Sequence, residues 1–142
     1  MRGLPIAVLL LAVLSLALLP STAGATVVFD VSDPGDDPDA TPGDGLCSTT
    51  GDQCTLRAAI QESNALPGPQ LIHVPEGEYT VSELDISGAV GITGAGQNAT
   101  VLKGGYSYHL FHVTAGANAA ISGLTARDVF NSGGGLDGSC GG

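Results

Sequence analysis

From Gln70 onward the chain is a succession of β-branched and apolar segments three to five residues long, each closed by glycine, proline or a polar turn. The segments are Leu71 to Val74, Glu78 to Val81, Glu83 to Ile86, Val90 to Thr93, Thr100 to Leu102, Leu110 to Val113, Ala120 to Ser122 and Leu124 to Ala126. Strands this short do not make an antiparallel sandwich, which wants longer alternating strands and a wider core. They also repeat. Gly91-Ile92-Thr93-Gly94-Ala95 returns as Ala120-Ile121-Ser122-Gly123-Leu124 at an offset of 29, and Leu84 to Ile86 lies 26 residues before Leu110 to His112. A period of that size with several tiny strands per unit is the mark of a solenoid. One turn of such a coil is too small to bury its own apolar side chains, and stacking turns solves the problem by piling Val, Ile and Leu into columns. The expectation is an all-β parallel β-helix.

Composition agrees and narrows the function. At 142 residues the chain holds one ordinary domain. Four basic against 14 acidic side chains leave a net charge of −10, which excludes phosphate-tracking nucleic-acid binding. Aromatics are 4% and Trp is absent, so an aromatic platform for sugars or bases is not expected. Much of the hydrophobic content sits at the start. Arg2 precedes an apolar run from Leu4 to Leu19, broken by Pro5 and Ser15, and Ala23-Gly24-Ala25 supplies a small-x-small site. The run is too short to span a bilayer comfortably and a cleavage site follows at once, so residues 1–25 read as a secretory signal cut between Ala25 and Thr26. No later run is long enough to cross a membrane. The expected product is exported, extracellular or at the cell surface.

Export changes the meaning of the cysteines. Cys47 and Cys54 enclose a short loop that can close as a disulfide in an oxidising compartment, and zinc would need a second ligand pair that is not spaced for it. Cys140 is left odd. The disulfide loop belongs to a longer stretch, Asp30 to Asp52, with seven Asp, no Lys or Arg, and Pro34, Pro38 and Pro42. Proline and like-charge repulsion make it a loop. Asp36, Asp37, Asp39 and Asp44 are candidate Ca²⁺ ligands, although their spacing fails the helix-loop-helix calcium pattern and a solvated acidic loop is the favoured reading. A first strand is expected within Thr26 to Val31. One helix is expected from Thr55 to about Ala65, capped by Thr55, with Leu56, Ala59, Ile60 and Ser63 on one face and Pro67-Gly68-Pro69 ending it.

Cys54-Thr55-Leu56-Arg57-Ala58-Ala59-Ile60, with Asp44-Gly45-Leu46-Cys47 before it and Glu62-Ser63-Asn64-Ala65 after it, resembles the CSLREA motif. That motif opens many exported bacterial proteins built from right-handed parallel β-helix repeats. Ile72-His73-Val74-Pro75-Glu76-Gly77-Glu78-Tyr79, Ile92-Thr93-Gly94-Ala95-Gly96 and Ile121-Ser122-Gly123-Leu124-Thr125 are similar to first coils of the pectin-lyase-like superfamily, and Gly133-Gly134-Gly135-Leu136 to the glycine run before a further coil. The resemblance implies residues 26–69 as strand, acidic loop and capping helix, and 70–142 as coils of a right-handed β-helix. It implies Thr55, Leu56, Arg57 and Ile60 as the helix cap, with Leu56 and Ile60 facing the coil interior, and a Cys47–Cys54 bridge pinning the acidic loop to the helix start. Two departures stand out. The Glu that completes the motif's reciprocal capping box is Ala58 here, so only the forward cap bond is expected. Such chains also usually continue for many coils, and this one reads as truncated at Gly142.

The superfamily includes polysaccharide lyases, which need a base and Ca²⁺-binding carboxylates. Arg127-Asp128 is the one adjacent Arg–acid pair among the coils, and a surface turn explains it as well. Beyond residue 84 the acids are Asp85, Asp128 and Asp137, which a period of 26–29 does not bring together. His109 and His112, three apart in an expected strand, should face opposite ways, and His73 is distant, so no metal site and no cofactor is expected from them. Asn98-Ala99-Thr100 is a glycosylation sequon that a bacterial exporter would leave unused. The expectation is a non-enzymatic, adhesin-like exported module. Its partner would be a carbohydrate or a host or cell-surface ligand, and it would self-associate through an open C-terminal end. The alternative is the start of a polysaccharide lyase without its catalytic coils.

Overall fold

The computed structural model describes residues 25–105 and 109–129. The body of the signal sequence, Gly133 to Leu136, Asp137 and Cys140 lie outside the described residues. Nine strands and one helix follow in the order β1 (Val28–Asp30), α1 (Leu56–Ala65), β2 (Gln70–Val74), β3 (Gly77–Val81), β4 (Leu84–Ile86), β5 (Ala89–Gly94), β6 (Thr100–Gly104), β7 (Phe111–Val113), β8 (Asn118–Ser122) and β9 (Thr125–Arg127). Each expected strand is present within a residue or two of its place.

The strands form three sheets, ordered β1-β2-β5-β8, β3-β6-β9 and β4-β7, and every pairing is parallel. The chain visits the three sheets in rotation and returns to each one level higher. That is a parallel β-helix.

Side-chain alternation then decides what is inside. Phe29, Ile72, Ile92 and Ile121 are register mates in the first sheet, and Tyr79, Leu102 and Ala126 in the second. The members from Phe29 to Leu102 are buried and belong to one hydrophobic cluster. The 29-residue repeat is also the ladder register, Ile92 against Ile121. The 26-residue offset is corrected to 27: Leu84 pairs with Phe111 and Asp85 with His112. Matching Leu84 to Leu110 was misleading, because Leu110 is buried in the turn before β7 and its carbonyl accepts the Leu84 N–H. Nor is the period constant. The step from Ile72 to Ile92 takes 20 residues because every corner is two residues long, and longer corners stretch the next step to 29.

The glycine recurring in both copies of the repeat has a steric cause. A Cβ on Gly94 would collide with the Gly123 carbonyl, and one on Gly123 with the Gly94 carbonyl. Successive corners touch there through bare backbone, and Gly123 also has φ +67°.

Helix α1 starts where the Thr55 hydroxyl accepts the Ala58 N–H at 3.0 Å, the forward half of the capping box. It packs on β2, β4 and β5 with Leu56, Ala59 and Ile60 buried in the shared core. A ten-residue helix is marginal alone in water. This one is held by the coils it covers.

Candidate functional site

The polar side chains of α1 connect the acidic loop to the first coil. The Arg57 guanidinium grips Asp36 through two bonds, Nε to Oδ1 and Nη2 to Oδ2, both 3.0 Å. The same guanidinium donates to the Ser82 hydroxyl at 2.6 Å and to the Glu83 carbonyl at 3.2 Å. Asp36 also accepts the Ser82 N–H and O–H, so a loop residue, a helix residue and the β3–β4 corner meet in one charge-assisted network.

Asn64, two turns along, receives the Ser87 and Gly88 N–H groups on its Oδ1 at 2.9 and 3.2 Å and gives an N–H to the Asp85 carbonyl at 2.8 Å. Leu84 N–H and the Ile86 carbonyl bond towards β7, so the Asp85 carbonyl faces the other way, along the free edge of β4. Arg57 and Asn64 thus supply side-chain partners to edge groups that a preceding coil would otherwise meet. The helix stands in for a missing strand.

Gln61 and Glu62 hold the loop. Gln61 accepts the Asp39 N–H at 2.8 Å. Glu62 is fully buried, and its two carboxylate oxygens accept the N–H groups of Gly43 and Gly45. Both glycines have positive φ, +101° and +89°, which turns their amides inward around the carboxylate. Sequence reasoning named Thr55, Leu56, Arg57 and Ile60 but missed Gln61, Glu62 and Asn64. A readable signal existed: Arg57, Gln61 and Asn64 fall at i, i+4 and i+7, a polar stripe at helical spacing.

Cys47 and Cys54 form a disulfide, which ties the loop to the helix start as the motif implied. Three of the four candidate calcium ligands turn their carboxylates to separate partners, and Asp37 is held by its backbone carbonyl. Asp36 serves Arg57, and Asp39 accepts the N–H groups of Thr41 and Ser48. Asp44 accepts the Leu46 N–H, and the Asp37 carbonyl accepts the Thr55 hydroxyl. The geometry does not gather them round one centre. Ala25 and Thr26 lie at the exposed start of the described chain. Arg127 does not pair with Asp128 but reaches back to Glu78, which also takes Lys103 at 2.6 Å.

His109 and His112 are not separated onto opposite faces of one strand, because His109 precedes β7 and strand alternation does not apply to it. His109 Nδ1 lies 3.6 Å from Glu83 and His112 Nδ1 2.8 Å from Asp85, both on the outer face of the β4-β7 sheet. Among the described residues no helix is long and apolar enough to cross a membrane. The disulfide fits an oxidising environment. Neither family models, nor curated proteins, nor solved structures yield a match to this chain.

Proposed function

We propose that the chain is the capped start of an exported β-helix of adhesin-like type, in the manner of the CSLREA-motif proteins it resembles, and that its role is display rather than catalysis. The observation that supports this reading is the asymmetry of the stack. At one end α1 packs over the apolar interior and partners the edge of β4. At the other, Val113 and Ile121 are 46% and 38% exposed, while their register mates one level down, Ile86 and Ile92, are fully buried. A coil built this way presents rows of outward side chains at fixed strand spacing, which suits recognition of an extended polysaccharide or a cell surface. The apolar columns at that end, which no element among the described residues covers, suit the addition of a further coil or of another molecule of the same kind.

Two measurements test the reading. Acidic polysaccharides incubated with the exported protein should yield no unsaturated product in ultraviolet absorbance, with or without Ca²⁺, while the protein is retained on an immobilised surface polysaccharide. A calcium-dependent rise in absorbance would replace display by a lyase. Sedimentation at several concentrations should show association, and a concentration-independent monomer would remove the open-end argument.

A further inference from the structure

The outer face of the β4-β7 sheet carries a mixed donor set whose members come from two successive levels of the coil. Asp85 and His112 are register mates in the parallel ladder. Glu83 lies two residues before Asp85, and the Leu84 N–H to Leu110 carbonyl bond of 2.9 Å sets the His109–Leu110 turn beside it. One ligand atom each from Glu83, Asp85 and His112 falls within a 4.8 Å group, the one such group among the described residues. His109 Nδ1 lies outside that group but only 3.6 Å from the Glu83 carboxylate, with its side chain exposed, so a turn of the ring would bring in a fourth donor.

We propose that Glu83, Asp85, His109 and His112 form a binding site for a borderline divalent transition-metal ion, with Zn²⁺ the best fit. Two imidazoles with two carboxylates suit such ions better than Ca²⁺ or Mg²⁺, which take oxygen ligands. The spacing also suits. Ligand atoms about 2.0–2.2 Å from a tetrahedral zinc stand roughly 3.3–3.6 Å from one another. The two His–carboxylate separations, 2.8 and 3.6 Å, lie close to that edge. The ligand atoms of Glu83, Asp85 and His112 are within 4.8 Å of one another, and closure requires the exposed His109 ring to turn toward them. The backbone fixes the pairing and the side chains adjust.

An ion held there would bridge one level of the coil to the next and so stabilise the level farther from the helix. The molecule contains its own control. Asp30 and His73 are also register mates, with His73 Nδ1 3.1 Å from Asp30, and they belong to no group of three or more metal-binding side chains among the described residues. A His–Asp pair alone should not hold the ion.

The test uses the untagged exported chain. Equilibrium dialysis should show one Zn²⁺ per molecule, and Co²⁺ in its place should give the visible absorption of a tetrahedral site. At zinc about 100-fold above the dissociation constant, the melting temperature should rise by about 5–10 °C. His112→Ala and Asp85→Asn should each weaken binding by roughly tenfold or more, and His73→Ala should leave it unchanged. Zinc should also protect His109 and His112 of the unmutated chain from acylation while His73 stays reactive, a readout that survives if a variant fails to fold. Absence of stoichiometric binding, equal loss in His73→Ala, or no selective protection would each overturn the proposal.

Discussion

The two ends of the described stack leave their apolar columns in different surroundings. At the first end, Phe29 precedes Ile72 in its column, Leu56 and Ile60 are buried in the same core where α1 packs on β2, β4 and β5, and Arg57 and Asn64 meet the edge of β4. At the last, Ile121 and Val113 continue the columns of Ile92 and Ile86, with no element stacked beyond them among the described residues. The difference teaches that the sequence of a repeat does not fix the energy of a repeat. Ile92 and Ile121 occupy the same column in the same residue type, and their contributions are set by whether another layer follows.

The sharpest break of that comparison is a matched pair of truncations. Ile92→Ala removes a fully enclosed side chain and should cost about 3–4 kcal/mol. Ile121→Ala, at 38% exposure, should cost about 1 kcal/mol. Urea unfolding of the full chain reads both, and the pair should differ in midpoint with little change in slope. Equal losses would mean that Ile121 is as enclosed as Ile92, and the two ends would then be alike.

Next comes the loop side of the cap. Glu62→Gln keeps size but lets only one oxygen accept, leaving the Gly43 or Gly45 N–H facing an amide NH₂. One orphaned donor plus a lost charge-assisted bond should cost about 2–3 kcal/mol. Proteolysis should then open the chain between residues 40 and 53 first. If cleavage instead falls among the coil corners, the carboxylate is not what orders the loop.

The disulfide should matter slightly less, because it closes a loop with a sequence separation of only 7. The chain-entropy argument gives about 2 kcal/mol for a loop that short. Replacing both Cys47 and Cys54 by alanine should lower stability by that amount and leave the coil's circular dichroism intact. A loss of all β signal would instead make the bridge a condition of folding, and the cap would be the seat of the whole molecule's stability.

How much of this was legible in the sequence follows from the kind of interaction. The strands and the 29-residue register were readable because alternation and a repeated glycine are local patterns, and the glycine is fixed by the Gly94–Gly123 contact. The 27-residue register was not, because Leu110 mimics an inward strand residue while sitting in a turn. The apolar face of α1 was visible in its periodicity. Glu62 was not, since a carboxylate in a helix ordinarily signals a solvated face, and only the inward amides of Gly43 and Gly45 reverse that reading. The pairing of His109 with Glu83 and of His112 with Asp85 depends on corner lengths between β4 and β7, which composition does not encode.

The smallest effect expected concerns what ties the last described level back to the first. Glu78 on β3 accepts Lys103 from β6 and Arg127 from β9, so one carboxylate touches two later levels. The Lys103 hydrogen bond, aided by the charges of Lys103 and Arg127, holds the Glu78 carboxyl below its ordinary range. A carboxyl lowered in the folded state contributes stability that is present above the unfolded value, about 4.3. That contribution fades as the pH falls through the lower folded value. The pair is solvent-exposed and screened, so the contribution is small and salt should erode it. Glu78→Gln should therefore melt slightly below the unmutated chain at neutral pH and low salt, and the two curves should converge on acidification. A gap that widens as the pH falls would mean that Glu78 acts as a neutral hydrogen-bonding group, and that the coils are tied together by their ladders alone.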